Sequence, residues 1–373
     1  MFMKVGVDIS PLTAHRTGVG TYVFELIHAF SRMQSDVEIT GYAAGLTPVE
    51  AAEVPPTMPY RQLRLPLSVI HKTWRTFQWP SIEKIARGSL DVVHATNFFL
   101  PPVESARRVL SVHDISFTSC PEWVDTRVVK PYAEHMMGFC DRADAVLVFS
   151  EFTKTEVVSR YGTLPEKVHV TPHGIRQDWC SFDGEQARKI VDRSGIEGPY
   201  VLFVGTIEER KNIHGILEAF EQLSDLPHKL VLVGGMGWMS TPFEEIVLNR
   251  GLKDRVVLPG YVSADTLPAF YKAADAFVFP SLYEGFGFPV LEAFSSDCPV
   301  ITSNQTSLPG VGGDAAKYVD PMNPEELAEA IRSVVTDAEL AGEMREKGRA
   351  RVKEFTWDRT AQMTLDVYRS VLN

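Results

Sequence analysis

The chain has 373 residues and carries 37 Lys+Arg against 48 Asp+Glu, a formal charge of −11 that argues against a general nucleic-acid binder. Its composition, 45% hydrophobic and 23% charged, is that of a soluble globular protein of two or three domains, and no apolar run is long enough to span a bilayer. Four scattered cysteines, Cys120, Cys140, Cys180 and Cys298, form no metal-spaced pairs and read as free thiols of a reducing compartment.

From the first residues the chain runs straight into a strand pattern at 4–9 with no cleavable signal layout, so a cytoplasmic location is expected. Thr17-Gly-Val-Gly-Thr-Tyr22 then opens an amphipathic helix over 20–33. A dinucleotide fingerprint needs three glycines tight against the first strand; only Gly18 and Gly20 occur here, well past the strand, so NAD binding is disfavoured. No Walker-type phosphate loop occurs either. The two glycines mark either a plain helix entry or a place where a substrate approaches the backbone.

Residues 61–87 are the most basic region, with Arg61, Arg64, Lys72, Arg75, Lys84 and Arg87 against the single acid Glu83. Trp74, Phe77 and Trp79 are interleaved. Such a mix rests on an anionic membrane surface, grips an acidic acceptor, or is a solvated face whose aromatic stripe packs inward.

Short apolar strands follow at 91–94, 108–112, 145–149 and 167–171. His113 and Asp114 end one of them, where polar residues often face a ligand crevice. His94 and His173 also lie near strand ends, and His71 is a further histidine. A lone histidine is more often structural than catalytic, and the sequence does not choose among them.

Around Pro172-His173-Gly174-Ile175 the pattern breaks, and a polar stretch runs to Pro199. A fresh set of strands starts at 200–205 and continues at 229–233, 256–258, 276–279 and 300–302, with helices over 213–223 and 324–336. The acidic excess lies in this half: residues 1–173 hold 17 basic and 18 acidic side chains, residues 174–373 hold 20 and 30. Alternating strands and helices in two sets predict an α/β protein of two Rossmann-like, doubly wound parallel-sheet domains facing across a cleft. The helical pattern over 357–372 finishes the second domain or crosses back to the first; periodicity does not decide.

Two strings in this half carry chemistry. In Phe203-Val-Gly-Thr-Ile-Glu-Glu-Arg-Lys-Asn212, Gly205 ends a strand and Arg210 and Lys211 precede a helix. A fork and a point charge at a strand's carboxyl end suit a diphosphate, although an adjacent Arg-Lys pair is more commonly a solvated cluster. In Pro280-Ser-Leu-Tyr-Glu-Gly-Phe-Gly-Phe-Pro-Val-Leu-Glu-Ala293, Glu284 is expected on a loop and Glu292 in the first turns of a helix beginning near Pro289. A helix N-terminus suits a phosphate and carboxylates suit sugar hydroxyls, so the segment offers groups for both parts of an activated sugar.

Together these strings resemble the retaining glycosyltransferases of family 4, which have the GT-B fold. The resemblance spans nearly the whole chain: Gly18 to Gly20, His113-Asp114, SEFTKTEV at 150–157, PHGI at 172–175, VGTIEERKN at 204–212 and the string from Glu284 to Glu292. It implies that Glu284 contacts the donor sugar and Glu292 the nucleotide ribose. The loop of Gly285, Phe286, Gly287, Phe288 and Pro289 then holds sugar and phosphates, and Arg210 and Lys211 bind the diphosphate. The base rests near Gly260, Tyr261, Val262 and Leu267, with Gly205 also part of the nucleotide site. His113 sits at the reaction centre, and Gly18 and Gly20 lie at the donor–acceptor junction. No cofactor and no metal is expected, in line with the missing DXD triplet. Two departures stand out: His173-Gly174 where Asn-Gly is common, and GGMG at 234–237 where Gly-x-Gly is common.

By the same resemblance, the domains are 1–175 on the acceptor side, 176–355 for the nucleotide sugar, and a helix at 356–373 crossing back. The ERKN and YEGFG strings look most like bacterial mannosyltransferases of polysaccharide assembly. The expected function is transfer, with retention, of mannose from GDP-mannose to a glycan or lipid-linked glycan, at the inner face of the membrane if residues 61–79 touch lipid. Sugar-nucleotide epimerisation on the same scaffold and a non-catalytic nucleotide-sugar sensor are the alternatives.

Overall fold

The structure is a computed structural model that describes residues 2–13, 18–33, 36–124, 126–237 and 242–373, with side chains omitted for 126–131. Thr17, which begins the first glycine string, lies outside these residues. The chain divides into two compact units. The first comprises Met1–Ile115, Arg127–Gly174 and Trp357–Asn373; the second comprises Ser116–Thr126 and Ile175–Thr356.

The first unit holds seven strands: β1 Met3–Asp8, β2 Val37–Ala44, β3 Tyr60–Leu63, β4 Val92–Ala95, β5 Arg107–Val112, β6 Ala145–Val148 and β7 Val168–Val170. All pairings are parallel, in the order β3-β2-β1-β4-β5-β6-β7. Strands such as β4 and β6 are buried along their whole length, because helices cover both faces of a parallel sheet and leave no side for water. That is why they read as continuous apolar runs rather than alternating ones. Strand order reverses between β1 and β4, which opens a crevice at their carboxyl ends.

The helix Gly18–Arg32 starts at the first glycine, so Gly18 and Gly20 occupy its opening turn rather than a loop before it. The last helix, Trp357–Ser370, packs on it. Tyr368 bonds His94 Nδ1 at 2.6 Å, Thr360 donates to the Pro172 carbonyl at 2.6 Å, and Arg369 pairs with Asp36 at 2.8 Å.

The second unit holds six strands: β8 Tyr200–Val204, β9 Lys229–Val233, β10 Val256–Gly260, β11 Ala276–Phe279, β12 Val300–Ser303 and β13 Ala316–Val319. They too are parallel, in the order β10-β9-β8-β11-β12-β13. The reversal here falls between β8 and β11. The β8 and β9 exits are locked by backbone: Gly205 donates to Val233 O at 2.9 Å, and Gly234 to Gly260 O at 3.0 Å. Gly234 has φ +147, and a Cβ there would lie 2.0 Å from the Gly205 carbonyl oxygen. Only glycine fits there, which gives the first glycine of the GGMG string a steric reason.

Among the described residues, no helix is long and apolar enough to cross a membrane.

Candidate active site

In the second unit the loops after β8 and β11 leave the sheet side by side, since those strands are neighbours. The loop after β8 ends in a short 3₁₀ turn, Glu209–Lys211, and then Asn212 at φ 57, whose side chain caps the helix Ile213–Glu221 through Gly215 N. Asn212 also donates to the carbonyls of Pro280 at 3.2 Å and Pro321 at 2.6 Å. The 3₁₀ turn is thereby fastened to the end of β11, and Leu282 N bonds the Arg210 carbonyl at 2.9 Å.

Arg210, Lys211 and Glu284 meet at this junction. Lys211 Nζ donates to Glu284 Oε1, and Arg210 Nη1 to Glu284 Oε2 at 3.2 Å. Arg210 also donates to Tyr283 O at 2.8 Å and to Glu208 Oε1 at 2.8 Å. The Lys211 and Glu284 side chains are each only 10% exposed, so the pair is screened little by water. Burial, then the neighbouring Arg210 charge, holds Lys211 below the usual lysine range against the pull of Glu284. Burial pushes Glu284 up, but the charges of Lys211 and Arg210 outweigh it and keep its carboxyl below the usual range. The Lys211 ammonium also lies 4.9 Å from the Phe279 ring centroid, a cation–π placement. The four charges of Glu208, Arg210, Lys211 and Glu284 sum to zero.

The loop that follows Glu284 is held from β12. Thr306, at φ 60, accepts from Glu284 N at 3.2 Å; Ser307 Oγ donates to the carbonyls of Glu284 at 2.9 Å and Phe286 at 2.8 Å. Gly287, at φ 109, caps the helix Phe288–Ser295, and a Cβ there would meet Leu308 at 2.8 Å. Gly285, Phe286 and Pro289 thus sit in or beside the entry of a helix that begins four residues after Glu284, as the sequence predicts. Glu292 lies one turn in. It accepts from the Tyr271 hydroxyl at 2.8 Å, and burial pushes its carboxyl up to about 7. Tyr271 belongs to the helix Leu267–Lys272, which follows β10; Leu267 and Val262 there are half-buried and Tyr261 is 83% exposed. The ribose candidate is therefore bonded to the helix that begins with Leu267, one of the base candidates.

In the first unit, His113 Nε2 bonds the Thr96 carbonyl at 2.9 Å. A carbonyl only accepts, so Nε2 carries the proton and Nδ1 is left as an acceptor. The ring stacks on Phe149 at 4.8 Å and meets Tyr22 edge-on at 5.3 Å, and burial lowers its pKa to about 4, which makes it neutral at pH 7. The other histidines separate cleanly. His94 is fully buried and tied to Ser111 at 2.8 Å and to Tyr368, so it anchors the last helix. His173 is buried and stacks on Phe149 at 3.8 Å, and His71 stacks on Phe99 at 4.0 Å.

Sequence reasoning passed over four contributors. Thr306 and Ser307 follow β12, in a polar run whose only signal is its place after a strand. Glu208 is the second partner of Arg210. Asp8 ends β1 beside the strand-order reversal. It accepts from Ser10 N at 2.9 Å and Ser10 Oγ at 2.5 Å, and burial raises its pKa to about 6. Its carbonyl receives the Thr96 hydroxyl at 2.7 Å, so Thr96 links the ends of β1, β4 and β5.

Comparison with known proteins places the chain in a family. Residues 16–179 match the family described as Glycosyltransferase Family 4, and residues 187–351 match Glycosyl transferases group 1. The O-antigen chain mannosyltransferase B of Escherichia coli is 31% identical over 283 residues, 74% of each chain. The chain belongs to glycosyltransferase family 4. The O-antigen chain mannosyltransferase RfbU of Salmonella typhimurium is 25% identical, over 88% of this chain and 90% of that one. Among solved structures, sucrose-phosphate synthase from Thermosynechococcus elongatus superposes with a TM-score of 0.80 at 21% identity, covering 99% of this chain and 98% of that one. That likeness concerns the fold, which is GT-B.

Proposed function

We propose that this glycosyltransferase moves mannose from GDP-mannose, with retention of configuration and without a metal, onto a glycan or lipid-linked glycan in polysaccharide or lipopolysaccharide assembly. The observation that carries the donor site is the meeting of two cations and a carboxylate at the β8/β11 reversal, beside a helix N-terminus. In this reading Arg210 and Lys211 hold the diphosphate and stabilise its departing charge, which is the largest catalytic contribution expected of such a site. Glu284 accepts from hydroxyls of the transferred sugar, and Glu292 from the ribose. Gly285 to Pro289 hold sugar and phosphate, Tyr261, Val262 and Leu267 flank the base, and Gly205 lets the donor approach the backbone.

His113 of the first unit belongs to the reaction centre. Being neutral and already donating through Nε2, it acts as an acceptor at Nδ1 rather than as a general acid. Gly18 and Gly20 serve the junction of donor and acceptor. The mannosyl reading rests on the two O-antigen mannosyltransferases to which the chain is similar. A cytoplasmic location belongs to the same reading.

The test is a thermal-shift screen against GDP-, UDP- and ADP-sugars, because a ligand that binds only the folded state raises its melting temperature. GDP-mannose is expected to give the largest shift. Proton NMR of the product is then expected to show an α-linkage from the α-linked donor, formed equally well in EDTA. A larger shift with another donor would overturn the mannosyl assignment, and a β-product or complete loss of turnover in EDTA would overturn the mechanism.

A further inference from the structure

The region from β3 through the helix Leu67–Phe77 to Trp79 is fastened by its inner face. Ile70 and Trp74 are buried in a cluster with Tyr42, Ile82 and Leu90, and Trp74 Nε1 donates to Pro80 O at 3.0 Å. Its exposed side chains are unusual. Leu65, Leu67 and Val69 are 45–47% exposed, Trp79 58% and Phe77 73%. Fifteen large apolar side chains are exposed among the described residues, and these five fall within residues 65–79. Single exposed apolar residues need no explanation, but a concentration of this kind marks an interaction surface.

Arg61, Arg64, Lys72 and Arg75 are exposed on the same stretch. None of the four makes a salt bridge among the described residues; Arg75 instead bonds the His71 carbonyl and His135. No acidic residue occurs between Glu53 and Glu83, in a chain whose net charge is −11.

We infer that this exposed stretch docks on an anionic lipid bilayer, with Phe77, Trp79 and the leucines entering the headgroup boundary while the four cations meet lipid phosphates. The combination selects this occupant. A soluble acidic glycan would satisfy the cations but leave five apolar side chains in water. A second copy joined by a twofold axis would bring the same cationic patch against itself. A bilayer interface takes both, because aromatic rings favour the headgroup level and basic side chains favour anionic lipid. This goes beyond the donor-site reading and is independent of it, since vesicle binding reads no transfer.

The experiment is co-sedimentation of the full chain with phosphatidylcholine vesicles with and without phosphatidylglycerol, at low and high salt. The wild type is expected to pellet with phosphatidylglycerol vesicles at low salt and at least about tenfold less with phosphatidylcholine alone. A variant combining Arg61→Gln, Arg64→Gln, Lys72→Gln and Arg75→Gln should lose the preference for anionic lipid. A variant combining Phe77→Ser and Trp79→Ser should lose the binding that survives high salt. Both change exposed side chains only, so unaltered circular dichroism and melting are the fold controls. The inference is overturned if the wild type stays in solution with phosphatidylglycerol vesicles at low salt, or if both variants pellet like the wild type. Self-association without vesicles that the Phe77/Trp79 variant abolishes would overturn it in favour of an interface between copies.

Discussion

Glu284→Gln separates the structural and functional roles of the buried junction. The substitution keeps the size of the side chain and one acceptor oxygen but removes the charge that balances Lys211. Breaking a buried ion pair from one side costs about 3–5 kcal/mol. Arg210 retains Glu208 at 2.8 Å, and glutamine still accepts a hydrogen bond, so about 2–3 kcal/mol is expected here. For a unit of this size that lowers the melting temperature by about 4–12 °C. The measurement belongs at neutral pH. A carboxylate held below its ordinary range contributes its full stability above the unfolded-state value and loses it only as pH falls through the folded-state value.

The same change should strengthen binding of a sugar-free nucleoside diphosphate. In the wild type, the formally neutral cluster presents a carboxylate to any phosphate that approaches Lys211. A phosphate on the far side of the ammonium lies about 6 Å from that carboxylate, and at an effective dielectric constant of about 20 their repulsion is about 3 kcal/mol. Allowing for screening, roughly 5- to 100-fold tighter binding is expected in calorimetry, with turnover falling because the sugar exchanges a charged two-oxygen acceptor for a neutral amide with one. Binding of the diphosphate should also restore the lost melting temperature. Unchanged melting together with unchanged or weaker diphosphate affinity would refute the role of Glu284 as counter-charge and sugar ligand.

Replacing Arg210 and Lys211 together with Ala is expected to reduce turnover by about 100-fold or more, read in steady-state kinetics; near-native turnover would remove them from leaving-group stabilisation. Glu292→Ala should weaken nucleoside diphosphate binding. Since burial raises the Glu292 carboxyl to about 7, wild-type affinity should rise as pH increases from 6 to 8 and the carboxylate forms, and Glu292→Gln should lack that component. Calorimetry on both forms checks this, and identical pH profiles would exclude Glu292 from the ribose site. Gly234→Ala drives a methyl to 2.0 Å from the Gly205 carbonyl oxygen and should destabilise by about 3 kcal/mol or more. Gly235→Ala meets nothing within 4 Å and should stay within about 0.5 kcal/mol in denaturant melts.

The fold class was legible in the sequence because a parallel strand covered on both faces must be apolar at every position. The runs at 145–148, 200–204 and 276–279 therefore announce themselves, and the turn residues between them announce the alternation. Weaker strands escaped: Val37–Ala44 contains Thr40 and Gly41, Tyr60–Leu63 is a four-residue edge strand, and Ala316–Val319 is a half-exposed edge strand of the second unit's sheet. The chemistry of each site string was likewise legible, since an Arg-Lys pair before a helix and a carboxylate before a glycine-rich helix entry depend only on local sequence. The choice among histidines was not. His94 and His113 both end strands, and only packing shows one sealed against Tyr368 and the other open at Nδ1.

What the sequence by itself determined is thus local: which segments form elements, and which groups stand at their ends. That Arg210 meets Glu284 across 74 residues was decided by strand order alone, because β8 pairs with β11 and not only with its sequence neighbour β9. In the same way, Trp74 and Phe77 look equivalent in sequence. Tertiary packing buries the first in the core and leaves the second in water, because burial depends on what the rest of the chain places against each face.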